Sequence, residues 1–257
     1  AACRRIGESR RGRHVFKYRT GGNSAKTLKT SYGKTVTIPE SHYGWKIDTE
    51  KEIAQITSEI KAGKAVEREL NYSMTANSHG KNDYGDRTPV YSQEAAAYGD
   101  VDYGNSYVEI NLTAQHLFLY SNGQRILESD FVSGKPYGHE TPPGTYAVTY
   151  TQKYAILRGD TYETMVSYWM PFNEDIGLHD ATWQSQLGSN LYQSIGSHGC
   201  VNLSYNVAKE MFNYVEKGMA VICYELPGTE SSSITPQSDE EKAQSVIDAI
   251  NEIANSL

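Results

Sequence analysis

Apolar residues recur with two different periods along this chain. From residue 107 the period is two. Tyr107-Val108-Glu109-Ile110-Asn111-Leu112 alternates, Leu117–Tyr120 follows, and Asn122-Gly123 supplies a tight hairpin turn, so Arg125 to Ser133 is predicted as the return strand. Thr141-Pro142-Pro143-Gly144-Thr145 reads as a rigid turn into a strand over 146–151, and Val166–Met170 as a further strand running toward His179. Beyond residue 204 the period lengthens. Ser204 caps a helix predicted over 205–217, with Val207, Ala208, Met211, Phe212 and Val215 on its buried face. Gly218 stops it, and Ala220–Tyr224 closes the unit as an apolar strand. A Pro/Gly/Ser/Thr linker over 227–237 leads to a capping box at Ser238 and Glu241. Ala243, Val246, Ile247, Ile250, Ala254 and Leu257 then form a helical stripe expected to pack on its own domain, with docking on a partner as the alternative.

Upstream of 107 the pattern is sparser. Lys34–Ile38 alternates and ends at Pro39, and His14–Tyr18 and Pro89–Tyr91 are short strand candidates. After Tyr43–Asp48, Thr49 and Glu52 suit a second capping box, Ile53, Ile56 and Ile60 an apolar stripe, and Gly63 a stop. Residues 71–104 are rich in Tyr, Gly, Asn and Asp and carry no sustained period. The expected division is a smaller α+β module over 1–104, a mainly β domain over 105–226, and a linker with an amphipathic helix over 227–257.

Composition narrows the function. The chain has 257 residues, 21% of them charged and 38% hydrophobic, enough for a real core. No apolar run reaches the roughly 18 residues that would span a bilayer. A net charge of −7 argues against nucleic acid as a partner. The charge is uneven, however: residues 1–34 carry ten Lys/Arg against Glu8 alone. That run reads first as a disordered terminus and second as a basic arm for anionic wall polymer or lipid headgroups. No signal peptide opens the chain, which reads as a mature or truncated form. Three cysteines, Cys3, Cys200 and Cys223, are too few for a disulfide framework, and Cys223 inside an apolar strand reads as a buried, inert thiol.

Cys200 is different. It lies in Gly196-Ser197-His198-Gly199-Cys200-Val201-Asn202-Leu203, 21 positions after His179. Small and polar neighbours disfavour a buried apolar thiol. A nucleophilic cysteine needs a base to make the thiolate and donors for the oxyanion. His179, at the end of a strand-like segment, is the candidate base. Backbone N–H groups of His198, Gly199 and Cys200 are the candidate oxyanion donors, and Ser197 and Asn202 suit holding the loop. Zinc ligation by His179, His198 and Cys200 does not match the usual ligand spacings, and no metal or cofactor is expected. The residues support acyl transfer by a Cys/His pair without separating transfer to an amine from transfer to water.

His179 followed by Ser197-His198-Gly199-Cys200-Val201-Asn202 resembles the signature of the L,D-transpeptidases, the YkuD-type catalytic domain. The resemblance extends in order through Tyr107–Tyr120, Phe131–Lys135, Thr141–Tyr146, Tyr168–Phe172 and Gly177–Ala181, covering roughly 105–226. Phe16–Ile60 resembles, more loosely, the end of a peptidoglycan-binding module that often precedes this unit, truncated or altered before residue 14. The resemblance implies a YkuD-type β-sandwich with a short helix. It implies that Cys200 attacks the carbonyl of residue three of a tetrapeptide stem and expels D-Ala, after which an amine of a neighbouring stem gives a 3→3 cross-link. His179 is then base and acid, oriented by the backbone carbonyl of Asp180 or by its side chain. Ser197, His198 and Gly199 shape the loop and oxyanion hole, and Tyr168, Trp169 and Trp183 are expected to line the substrate cleft. Expected partners are peptidoglycan stem peptides, with carbapenem-type β-lactams as inhibitors. Expected localisation is extracellular, at the cell wall or the outer face of the cytoplasmic membrane, with membrane contact only through an anchor absent from this chain. The alternatives are an L,D-carboxypeptidase or other Cys/His wall peptidase, and a non-catalytic wall-binding protein.

Overall fold

The computed structural model of the chain describes residues 25–39, 46–47, 49–63, 66, 68, 72–74, 103–159 and 162–256. The strand candidates His14–Tyr18 and Pro89–Tyr91, Cys3, most of Tyr43–Asp48 and the terminal Leu257 lie outside the described residues.

The alternating segments after residue 107 become strands of two stacked sheets. In chain order these are β5 (Tyr107–Asn111), β6 (His116–Ser121), β7 (Gln124–Asp130), β8 (Gly144–Ala147), β9 (Gln152–Gly159), β10 (Tyr162–Asn173), β11 (Ile176–Asp180), β13 (Val201–Leu203) and β14 (Ala220–Tyr224), with the two-residue β12 (Gln186–Leu187) paired to β15 (Thr235–Pro236). One sheet runs β7-β6-β5-β14-β8, the other β13-β11-β10-β9. Val108, Ile110, Leu117, Leu119 and Val221 of the first meet Tyr168, Met170, Phe172, Leu178, Val201 and Leu203 of the second in one apolar cluster. This is the expected mainly β sandwich. Asn122 and Gly123, both at positive φ, make the two-residue turn between β6 and β7.

The helices are α1 (Thr49–Ala62), the single turn α2 (Tyr192–Ile195), α3 (Tyr205–Phe212) and α4 (Asp239–Ser256). Ser204 caps α3 by accepting the Val207 N–H. The helix stops at Phe212, short of 217, because Asn213 turns its N–H back to the Glu210 carbonyl and ends the α pattern. Val215 is nonetheless buried. The strand predicted from Arg125 leaves its sheet at Asp130, and the one predicted from Tyr146 ends at Ala147. β10 is far longer than Val166–Met170, because the exposed outer half of the β9–β10 hairpin carries no alternation to read.

Alternation places Glu109 on the solvent side of β5, yet it is fully buried. The hairpin of β1 (Lys26–Lys29) and β2 (Thr35–Ile38) accounts for this. Leu28 and Ile38 join Ala147, Ala220, Ile222 and Tyr224 in a second apolar cluster on the outer face of the sheet. A buried carboxylate needs donors. Glu109 has the Ser31 N–H (2.9 Å), the Ser31 hydroxyl (2.7 Å) and the Tyr224 hydroxyl (2.5 Å). The short strands β3 (Lys46–Ile47) and β4 (Tyr72–Met74) pair with each other.

The other two amphipathic helices, α1 and α4, turn the unexpected face inward. On α1 Ile53 and Ile60 are exposed, while Glu52 is buried against the Arg68 guanidinium, which also bonds Glu59. On α4, Val246, Ile247 and Ile250 are exposed. The helix docks on its own domain through Asp248 instead. That side chain takes hydrogen bonds from the Tyr205 hydroxyl (2.6 Å) and Lys209 (2.6 Å), and the Asp248 carbonyl takes one from Tyr154 (3.3 Å). Tyr205 is fully buried, so its hydroxyl requires a partner, and a carboxylate meets that need where an apolar stripe cannot.

Candidate active site

Strand register assembles the site. β11 lies between β10 and β13, with Trp169 opposite His179 and His179 opposite Asn202. Residues opposite each other share a face, and faces alternate along a strand. Met170, Leu178 and Val201 therefore point into the core, while Trp169, His179 and Asn202 occupy the other face. Cys200 stands one residue before β13, beside the start of β11. Its sulfur donates to the Asp175 carbonyl (3.6 Å) and packs against the cluster of Ala155, Val166 and Trp169. The two strands place the candidate nucleophile and base, 21 positions apart in sequence, on the same face.

His179 is buried, with the Trp169 and Trp183 rings each 5.8 Å from its own. Burial lowers its pKa to about 4, against an upward pull from its bond to the Asp180 carbonyl. That bond, 3.0 Å from Nδ1, also settles the tautomer. A carbonyl only accepts, so Nδ1 carries the proton and Nε2 keeps a lone pair. The Asp180 carboxylate is one residue on and faces the other way, accepting the Tyr168 N–H (2.8 Å). His179 is thus oriented by the Asp180 backbone and not by its side chain. Burial raises the Cys200 thiol to about 11, against a lowering hydrogen bond from the Gly177 backbone, with a further push from Asp175. Burial thus favours the uncharged form of both groups.

The loop before Cys200 is held by its own side chains. The Ser197 hydroxyl donates to the Cys200 carbonyl (2.6 Å) and accepts the Gly199 N–H (3.0 Å). Gly199 sits at φ +119°, a conformation open to glycine, and a Cβ there would meet Ile176 at 2.9 Å. Since Ser197 consumes the Gly199 N–H, that group is not an oxyanion donor, contrary to expectation. The Cys200 and His198 N–H groups have no acceptor among the described residues. Asn202 exchanges backbone bonds with Val132 and donates its amide to Gln184 (3.1 Å), which in turn donates to the Ile195 carbonyl. His198 is exposed. Its ring stacks on Tyr162 (5.3 Å) and meets His139 edge-on (4.5 Å), and burial, then His139 and Lys135, lower its pKa.

Of the expected cleft residues, Tyr168 is corrected. Tyr168, 5% exposed, lies in the main core against Tyr205 and Phe212, because its place in β10 points inward. Trp169, also 5% exposed, forms the floor beneath His179 and Cys200 and anchors its ring N–H on the Tyr150 hydroxyl (3.1 Å). Trp183 is 52% exposed beside His179. Sequence reasoning missed Thr141, His139, Tyr162 and Gln184. Thr141 stood inside a segment read as a turn, and the others carried no local signal. Among the described residues no group of three or more His, Cys, Asp and Glu could hold a metal ion.

A two-sheet sandwich with a buried histidine and a loop-held cysteine on adjacent strands defines a catalytic domain of the L,D-transpeptidase type, and residues 105–223 match that family, YkuD, described as the L,D-transpeptidase catalytic domain. Among solved structures, a cysteine-to-serine mutant of the Enterococcus faecium L,D-transpeptidase is 31% identical, with 79% of this chain and 75% of that chain covered and a TM-score of 0.63. The avibactam carbamoyl form of the enzyme Ldtfm is 32% identical, with 78% and 73% covered and a TM-score of 0.62. Comparison with curated protein sequences gives no match. The chain belongs to the L,D-transpeptidase family, whose members are acyltransferases acting on peptidoglycan.

Proposed function

We propose that this chain forms 3→3 peptidoglycan cross-links through a thioester on Cys200. The observation that carries the reading is the fixed tautomer of His179, with Nδ1–H on the Asp180 carbonyl and a free Nε2 lone pair on the face it shares with the cysteine. As a donor stem binds, Nε2 takes the Cys200 proton while sulfur adds to the carbonyl of residue three. The Cys200 N–H receives the developing oxyanion. The carbon–nitrogen bond to D-Ala breaks, and the imidazolium returns the proton to the leaving amine. The side-chain amine of residue three on a second stem then adds to the thioester, loses a proton to His179, and expels the thiolate. Burial favours the uncharged imidazole, which suits His179 to act as a general base toward bound substrate. Peptidoglycan as substrate places this work outside the cytoplasmic membrane. A carbapenem, with its strained acyl group, is expected to acylate Cys200 by the same first step.

Mass spectrometry of disaccharide-tetrapeptide incubated with the protein, beside Cys200→Ala, tests this. D-Ala loss with a dimer joined through two third residues, absent in the mutant, is the expected result. Tripeptide alone would identify an L,D-carboxypeptidase. Stem-peptide binding without turnover would identify a wall-binding protein.

A further inference from the structure

We infer that Thr141 is a positioning residue that aims the Cys200 N–H, an inference resting on the oxyanion role given to that group above. Thr141 is 58 residues from Gly199 in sequence and 4% exposed. Its hydroxyl donates to the Gly199 carbonyl at 2.6 Å and accepts the Gly134 N–H at 3.0 Å. A hydroxyl has one proton, and an N–H only donates, so the direction of both bonds is fixed.

The consequence lies in the peptide between Gly199 and Cys200. It is trans and planar, so its N–H points opposite to its C=O. Gripping the Gly199 oxygen from the Thr141 side turns the Cys200 N–H to the other side. Gly199, at φ +119°, has no side chain to fix that plane by itself. Of the four backbone polar groups on Gly199 and Cys200, Ser197 holds the Gly199 N–H and the Cys200 carbonyl, and Thr141 holds the Gly199 carbonyl. The Cys200 N–H is the one left without an acceptor among the described residues, as an oxyanion donor must be.

The grip is itself braced. Pro142 and Pro143 follow Thr141, and the Tyr146 hydroxyl bonds their carbonyls at 3.1 and 3.3 Å. Tyr146 is anchored in the main core with its ring 5.5 Å from that of Phe172. On the other side Gly134 lets three backbones converge: a Cβ there would sit 1.8 Å from the His139 carbonyl and 2.9 Å from the Gly199 Cα.

The test compares two reactions of the Cys200 sulfur. Acylation by a carbapenem or by p-nitrophenyl acetate passes through an oxyanion. Alkylation by iodoacetamide displaces iodide from a saturated carbon and forms none. Rates of both are read by intact mass for the wild type, Thr141→Val, Thr141→Ala and Thr141→Ser. Thr141→Val and Thr141→Ala are expected to acylate about 10- to 100-fold more slowly while alkylating within about twofold of wild type, and Thr141→Ser to recover acylation within about threefold. Wild-type acylation in Thr141→Val, an equal fall in acylation and alkylation, or a Thr141→Ser as slow as Thr141→Val would each overturn the inference. If Thr141→Val does not fold by circular dichroism, the Ala and Ser variants carry the comparison. Unfolding of both Val and Ala variants would make the hydroxyl a structural group and also overturn it. The readout needs no stem peptide. A wild type that acylates but leaves tetrapeptide untouched refutes the cross-linking reading alone, and one that cross-links while Thr141→Val acylates normally refutes this inference alone.

Discussion

Lowering the pH should remove stability through His179. The unfolded imidazole has an ordinary pKa near 6.5, and the folded one about 4, because burial between Trp169 and Trp183 disfavours the cation. Below pH 6.5 the unfolded state takes a proton that the folded state refuses. The contribution is therefore fully present above 6.5, is lost as pH falls toward 4, and changes no further below that. The gap is worth about 3 kcal/mol. Urea unfolding of wild type and His179→Gln at several pH values between 7.5 and 4 isolates it, since the carboxylates common to both proteins cancel in the difference. Gln keeps a donor for the Asp180 carbonyl and has no proton to gain. Wild type should lose about 3 kcal/mol more than the variant over this range. Parallel stability curves would refute the assignment of a buried imidazole that refuses a proton down to about pH 4.

Two further outcomes follow from the packing. Glu109→Ala leaves the Ser31 N–H and the Tyr224 hydroxyl without their buried acceptor, and should cost about 3 kcal/mol with faster amide exchange across 25–39; unchanged exchange there would show that the hairpin is not held by this carboxylate. Asp248→Ala deprives the buried Tyr205 hydroxyl of its acceptor and should cost about 1–2 kcal/mol, with limited proteolysis appearing in 227–238; an uncleaved, equally stable variant would mean that α4 docks by other contacts.

What the sequence determined by itself was local. Alternation marked β5, short apolar runs marked β6 and β14, Asn122-Gly123 fixed a hairpin, Ser204 capped α3, and the Ser197–Asn202 run with His179 named the candidate nucleophile and base. Each is set by a period, a turn preference or a short motif whose parts lie within a few residues. The tertiary structure decided which partners those parts meet. Ser31, 78 residues upstream, turned Glu109 from a solvent-facing residue into a buried acceptor. Strand register chose the Asp180 carbonyl over its side chain for His179, and set into the core Tyr168, which nearness to the motif had suggested for the cleft. Periodicity also states which face of a helix is apolar without saying which face is covered, and on α1 and α4 buried charge and hydroxyl groups claimed the contacts. Thr141 is the clearest case. Its segment reads as a turn, and its hydroxyl finds its two partners only where the fold brings Gly134 and Gly199 to it.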